Sequence, residues 1–96
     1  MSSSIVQDSF DDIMAKYDPS KNETRNILSK YEKAKLLGLR QEQLARGAEA
    51  MVDTRKYTNI VDIAQRELQE RTMPLMIMRV LPGGVKEYWK LEDMVV

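Results

Sequence analysis

The stretch LMIMRVLPGGVKEYWK, residues 75 to 90, decides between an all-helical fold and a mixed one. Leu75 to Val80 is a short apolar run, and Pro74 ahead of it ends any helical pattern arriving from the N-terminal side. Leu81-Pro82-Gly83-Gly84 supplies a reverse turn, with Pro82 fixing its own φ and a glycine available wherever a positive φ is required. On the return, Val85, Glu87 and Trp89 alternate with Lys86, Tyr88 and Lys90, the two-residue period of a strand. The expected product is a β-hairpin. A two-stranded hairpin is marginal in water, so helices or a partner must cover its apolar face.

Helices are what the preceding residues offer. Asn59 is a suitable cap, and Ile60, Ile63, Ala64 and Leu68 recur at helical spacing to about Arg71. Asp62, Gln65, Arg66, Glu67, Gln69 and Glu70 are expected on the solvated side of that helix. Further upstream, Ser29-Lys30-Tyr31-Glu32 forms an S-x-x-E capping box that opens a longer helix. Tyr31, Ala34, Leu37, Leu44, Ala45 and Ala48 follow at threes and fours, while Leu36 and Leu39 widen the apolar surface, so more than one face is buried. The expected fold class is α+β: a small helical domain of two main helices with a C-terminal β-hairpin, over residues 28–96, preceded by a flexible acidic arm, residues 1–27.

The arm is set apart by charge. Residues 1–29 carry five acids and three bases, whereas 30–56 carry seven bases and four acids. Phe10, Ile13, Met14 and Tyr17 fall at helical spacing, Ser9 with Asp12 resembles a weaker capping box, and Asp18-Pro19 stops the run. So short a helix is marginal alone. Two readings stay open: a frayed terminus, or a helix that forms on docking to a partner. The polar residues Asp18 to Asn26 read as a linker, and no internal repeat is present.

Composition removes most chemistry. The 96 residues suffice for one small domain with a thin core. Positive and negative side chains number 15 each, so the chain as a whole offers no net attraction to phosphate backbones. Neither cysteine nor histidine occurs, which excludes disulfides and thiolate metal sites and removes the commonest general base and metal ligand. The adjacent acids Asp11 and Asp12 point apart on a helix, and Glu67 with Glu70 are expected on a solvated face, so no catalytic carboxylate pair is expected. No calcium-loop motif appears, and Gly83-Gly84 lacks the strand, helix and lysine of a phosphate cradle. No cofactor, metal or small-molecule substrate is expected. Lys30, Lys33, Lys35, Arg40 and Arg46 are interleaved with Glu32, Glu42 and Glu49, a pattern that fits a solvated or protein-contacting face better than a DNA-reading one. Apolar runs fall far short of the roughly 20 residues that span a bilayer, and the Ser-rich start lacks a basic n-region, so an intracellular soluble chain is expected.

Three segments in order, SKYEKAKLLGLRQEQLARGA, then NIVDIA, then MPLMIMRVLPGGVKEYWKLED, resemble the small polymerase subunit called omega in bacteria and K in archaea, whose eukaryotic counterpart is the sixth subunit shared among the nuclear RNA polymerases. The resemblance covers about residues 28 to 95 and is closest to the archaeal and eukaryotic branch, which carries a hairpin ending with an aromatic before a short acidic helix. Departures are visible: Gln41 follows Arg40 where the family usually has alanine, Asn59-Ile60 stands for Asp-Pro, and Met78 replaces a common basic residue. The arm is shorter than in typical eukaryotic members, which leaves an archaeal or large-DNA-virus source open.

The resemblance implies a non-catalytic assembly subunit that latches the C-terminal part of the largest RNA polymerase subunit near the clamp base, meeting DNA only through the complex and no membrane. It would reside in the nucleus if eukaryotic, and in the cytoplasm if archaeal or from a cytoplasmically replicating virus. The implied partner-binding residues are Tyr31, Glu32, Ala34, Leu37, Gly38, Arg40, Gln43, Leu44, Gly47 and Ala48. Gly38 costs about 1 kcal/mol against alanine in a helix interior, which points to close approach of another backbone, with a chance surface glycine as the alternative. Gly47 is either a helix C-cap or a contact. Arg40 and Gln43, one turn apart, offer hydrogen bonds to a partner, or pack intramolecularly against the hairpin. Two other classes remain, a small nucleic-acid-binding regulator and a homo-oligomeric adaptor.

Overall fold

The computed structural model describes residues 2–7 and 10–96. The order of elements is β1 (Ser2–Val6), α1 (Phe10–Met14), a 3-10 turn (Pro19–Lys21), α2 (Lys30–Ala45), α3 (Ile60–Glu70), β2 (Met76–Val80), β3 (Lys86–Lys90) and a second 3-10 turn (Leu91–Asp93). Both main helices and the hairpin lie where the sequence places them, so the α+β reading holds. The terminal acidic helix is a single 3-10 turn. Ser9, in the weak capping box before α1, lies outside the described residues.

The sheet has a third strand that the sequence reading lacks. β1 pairs antiparallel with β2, β2 pairs antiparallel with β3, and the hairpin's first strand is therefore central. Ile5, Ile77 and Trp89 are opposite one another across the three strands, as are Ser3, Arg79 and Glu87, and strand alternation puts both rows on one face. That face meets the helices. Leu36 of α2, Leu68 of α3, Ile77 and Trp89 join Leu28, Met73, Leu75, Leu91 and Met94 in one buried cluster.

Each helix starts and stops for a local reason. The Ser29 hydroxyl accepts the Glu32 N–H at 3.1 Å and the Glu32 carboxylate accepts the Ser29 N–H at 3.0 Å, which completes the capping box. At the far end, Gly47 takes φ +97°, its N–H reaching the Leu44 carbonyl and the Ala48 N–H reaching Gln43. This is the paired-bond terminator that favours glycine. α3 begins on the Asn59 side chain and ends with the same two-bond pattern, but there the left-handed residue is Arg71, at φ 59°. The Arg71 Nε donates to the Met94 carbonyl at 2.8 Å, which helps hold a conformation that a non-glycine residue enters at a cost.

Two polarity expectations are corrected. Glu67, expected on the solvated side of α3, is fully buried. It sits three residues after Ala64 and four after Ile63, on the apolar stripe rather than opposite it. The segment Asp18–Asn26, read as a linker, is hydrogen-bonded to the hairpin: Asn22 Nδ2 donates to the Tyr88 carbonyl, and the Glu23 and Thr24 N–H groups donate to the Glu87 carboxylate. Among the described residues no helix is long and apolar enough to cross a membrane.

Candidate partner-binding face of the long helix

The turn of α2 that faces the core carries Glu32, Leu36 and Arg40, spaced by four, and all three are buried. Both charged members are neutralised inside the chain. Arg40 Nε and Nη2 grip the Glu67 carboxylate at 2.6 and 3.2 Å, Nη1 donates to Gln43 Oε1 at 3.1 Å, and Nη2 also reaches the Glu49 carbonyl at 2.8 Å. Glu67 accepts the Met51 N–H besides, so this pair pins the α2–α3 loop to both helices. Charge burial without a partner would cost several kcal/mol, which explains why all three guanidinium nitrogens of Arg40 are paired.

A second buried pair joins α2 to the sheet. Arg79 of β2 donates to the Glu32 carboxylate at 3.0 and 2.9 Å and to the carbonyls of Arg25 and Ile27. The Thr24 hydroxyl accepts from Arg79 and from Trp89 Nε1, each at 3.0 Å, and donates to Glu87 at 2.7 Å. Burial pushes the Glu32 carboxyl up, but the Arg79 guanidinium and the Ser29 N–H outweigh it and hold the group below the usual carboxylate range. For Glu87 burial is again opposed, here by the Glu23 N–H and by the hydroxyl and N–H of Thr24, with the same net direction. Sequence reasoning missed this network. Its one signal was the alternation that put Glu87 in phase with Trp89.

The ten residues that the resemblance put at an interface therefore separate. Glu32 and Arg40 are consumed by the fold, and Gln43 is shared between Arg40 and Gln7. Leu37 and Leu44 are half-buried, and Leu37 packs against the core. Tyr31, Ala34, Gly38, Gly47 and Ala48 remain exposed. Of these, Tyr31, Ala34 and Gly38 line one open side of α2 at i, i+3 and i+7. Tyr31 is 61% exposed, the most of any large apolar side chain among the described residues, and the Lys35 ammonium lies 5.0 Å from its ring centre. A Cβ on Gly38 would meet nothing within 4 Å among the described residues. Packing within the chain thus gives no reason for a glycine there, whereas the positive φ of Gly47 does.

No family model matches the chain. Individual relatives do. It is 40% identical over 75 residues to a Caenorhabditis briggsae protein described as "Probable DNA-directed RNA polymerases I, II, and III subunit RPABC2", covering 78% of this chain and 54% of that one. With the Saccharomyces cerevisiae "DNA-directed RNA polymerases I, II, and III subunit RPABC2" the identity is 40% over 73 residues, covering 76% and 47%. With the Arabidopsis thaliana "DNA-directed RNA polymerases II and V subunit 6B" it is 36% over 73 residues, covering 76% and 51%. The chain spans about half the length of the curated relatives it matches. With these similarities and the α+β fold together, the chain belongs to the family of small RNA polymerase subunits that comprises omega, archaeal K and the shared sixth subunit of eukaryotes.

Proposed function

We propose that this protein is a non-catalytic assembly and stability subunit of a multisubunit DNA-directed RNA polymerase, and that it latches the C-terminal region of the largest subunit near the clamp base through the open side of α2. The observation that carries the reading is Gly38. It sits in the middle of a 16-residue helix, it is exposed, and nothing among the described residues crowds it, so its use is explained by a neighbour outside the chain. Tyr31 and Ala34 extend the same side, giving an aromatic anchor next to small residues that allow close backbone approach. The names of the relatives supply the polymerase.

Arg40, Glu32 and Gln43 act in this proposal by fixing α2 on α3 and the sheet, so that the open side is presented in one orientation. Gly47 closes the helix, and Ala48 continues the exposed surface beyond it. The lack of histidine and cysteine supports a structural role. DNA is met only through the assembled enzyme, in whatever compartment that enzyme works. Purification of the tagged chain from its native cell, with large subunits identified by mass, tests the reading. One copy per polymerase and no nucleotidyl transfer by the isolated chain are expected; activity of the isolated chain, or absence of large polymerase subunits, would contradict it.

A further inference from the structure

The two edges of the sheet are finished differently. Along β3, side chains close the outward-facing backbone: the Tyr17 hydroxyl accepts the Lys90 N–H at 3.0 Å, and Asn22 Nδ2 donates to the Tyr88 carbonyl at 2.9 Å. Glu87 and Trp89, both buried, anchor that strand from the other side. Because Lys90 and Tyr88 turn their backbone groups away from β2, their register partners Met76 and Met78 turn theirs toward β1, and the alternation continues to Val80. Among the described residues, the hydrogen-bonding edge of the central strand is covered by β1.

β1 holds that edge with little apolar surface behind it; its polar ties to α2 are Ser3 to Glu32 and, just beyond the strand, Gln7 to Gln43. None of its residues is buried, Ser2, Ser3 and Ser4 bring almost no apolar surface, and Ile5 is its one side chain packed against the core cluster. Fixing a backbone segment costs entropy at every residue, and segments with few buried contacts open far more readily than the rest of a domain. β2 is the opposite case, with Met76, Ile77 and Arg79 buried. A loosely held strand on a rigid neighbour is an arrangement in which one strand can replace another. The register also shows what the edge accepts: an uncharged antiparallel strand with a small residue opposite Arg79 and an apolar one opposite Ile77.

We propose that β1 is an exchangeable strand, which occupies the β2 edge in the free chain and yields it, in the assembled enzyme, to an extended uncharged segment of a polymerase partner subunit. The proposal rests on the reading of the chain as a polymerase subunit. The incoming segment pairs antiparallel with Met76–Val80 and sets an apolar side chain against Ile77. Its advantage over β1 is an apolar side chain where Ser4 stands opposite Met78, on the same ladder of backbone hydrogen bonds.

The chain has no cysteine, so one engineered disulfide locks β1 cleanly. Ser4 and Met78 are directly opposite on the sheet face away from the core. Such a ladder pair has a Cα separation of about 5.5 Å, within the disulfide range. The full-length Ser4→Cys/Met78→Cys chain is offered, oxidised and reduced, to polymerase in native extract, with wild type exposed to the same oxidant alongside. The reduced form should enter as wild type does, the oxidised form at least tenfold less, and reductant should restore entry. Equal entry of the oxidised form overturns strand exchange and leaves the subunit reading standing. Failure of wild type to enter overturns the subunit reading itself. If the reduced variant fails while wild type assembles, amide exchange on the free wild-type chain decides. The Met76, Met78 and Val80 amides should exchange at least tenfold faster than those of Ile77 and Arg79, and equal protection overturns the proposal. A concentration-dependent dimer that protects those three amides assigns the edge to a second copy and overturns it too.

Discussion

Arg40 shows how a charged residue can look like a binding group and yet be part of the core. Its position one turn from Gln43 on a basic stretch invites a surface reading, but the stripe Glu32, Leu36, Arg40 lies inward and Glu67 meets it from α3. Arg40→Ala leaves a buried carboxylate unpaired and should destabilise the chain by about 3–5 kcal/mol, measured by urea unfolding. Arg40→Met with Glu67→Leu should recover part of that loss. Recovery stays partial because the Met51 N–H and the Glu49 carbonyl lose their partners. The helical phase of Glu67, three and four residues beyond Ala64 and Ile63, was available in the sequence; reading charge as solvent exposure hid it. Acid should act on the network around Arg79 and Thr24. Glu32 and Glu87 have folded-state values below their unfolded ones, so their contribution is complete above the ordinary glutamate value of about 4.3 and is lost as pH falls through the lower folded values. Stability measured from pH 7 downward should fall steeply below about pH 4, and Glu87→Gln should flatten that fall while lowering stability at neutral pH. An unchanged slope in the variant would contradict the assignment.

The long helix, α3 and the hairpin were readable because each carries its own punctuation: the S-x-x-E box, the Asn59 cap, the Pro74 break and the Pro82–Gly84 turn. β1 was not. Ser2–Val6 has no charge alternation and only two apolar residues, so its pairing is dictated by the open side of β2 rather than by its own pattern. The segment after α1 was unreadable for a related reason, since its polar groups bond to the backbone and carboxylate of β3, 63 to 66 positions later in the chain. The two helix glycines separate by backbone angle. Gly47→Ala places a Cβ at φ +97° and should cost about 1 kcal/mol. Gly38→Ala should raise stability, by up to about 1 kcal/mol, because the site is ordinary helix with open space around it. Thermal unfolding of the isolated variants checks both signs.

For the molecule as a whole, the fold spends its buried charges on orienting two helices and a sheet, and one side of α2 is left uncovered among the described residues. The resemblance put ten residues of that helix and its end at an interface, but the sequence could not divide the helix into an inward and an outward side. That division depends on contacts from α3 and β2 that only the folded chain brings together. The proposed function requires that the polymerase sits on the open side of α2. Competition between equal amounts of wild-type chain and Gly38→Leu for incorporation into the enzyme measures this directly, with the free variant's helicity taken as a control. A Cβ at this exposed site meets nothing within 4 Å among the described residues, so leucine should leave the free chain's helix intact, yet it should reduce incorporation at least tenfold, with alanine in between. Equal incorporation of the leucine variant and wild type would contradict the account and remove Gly38 from the interface.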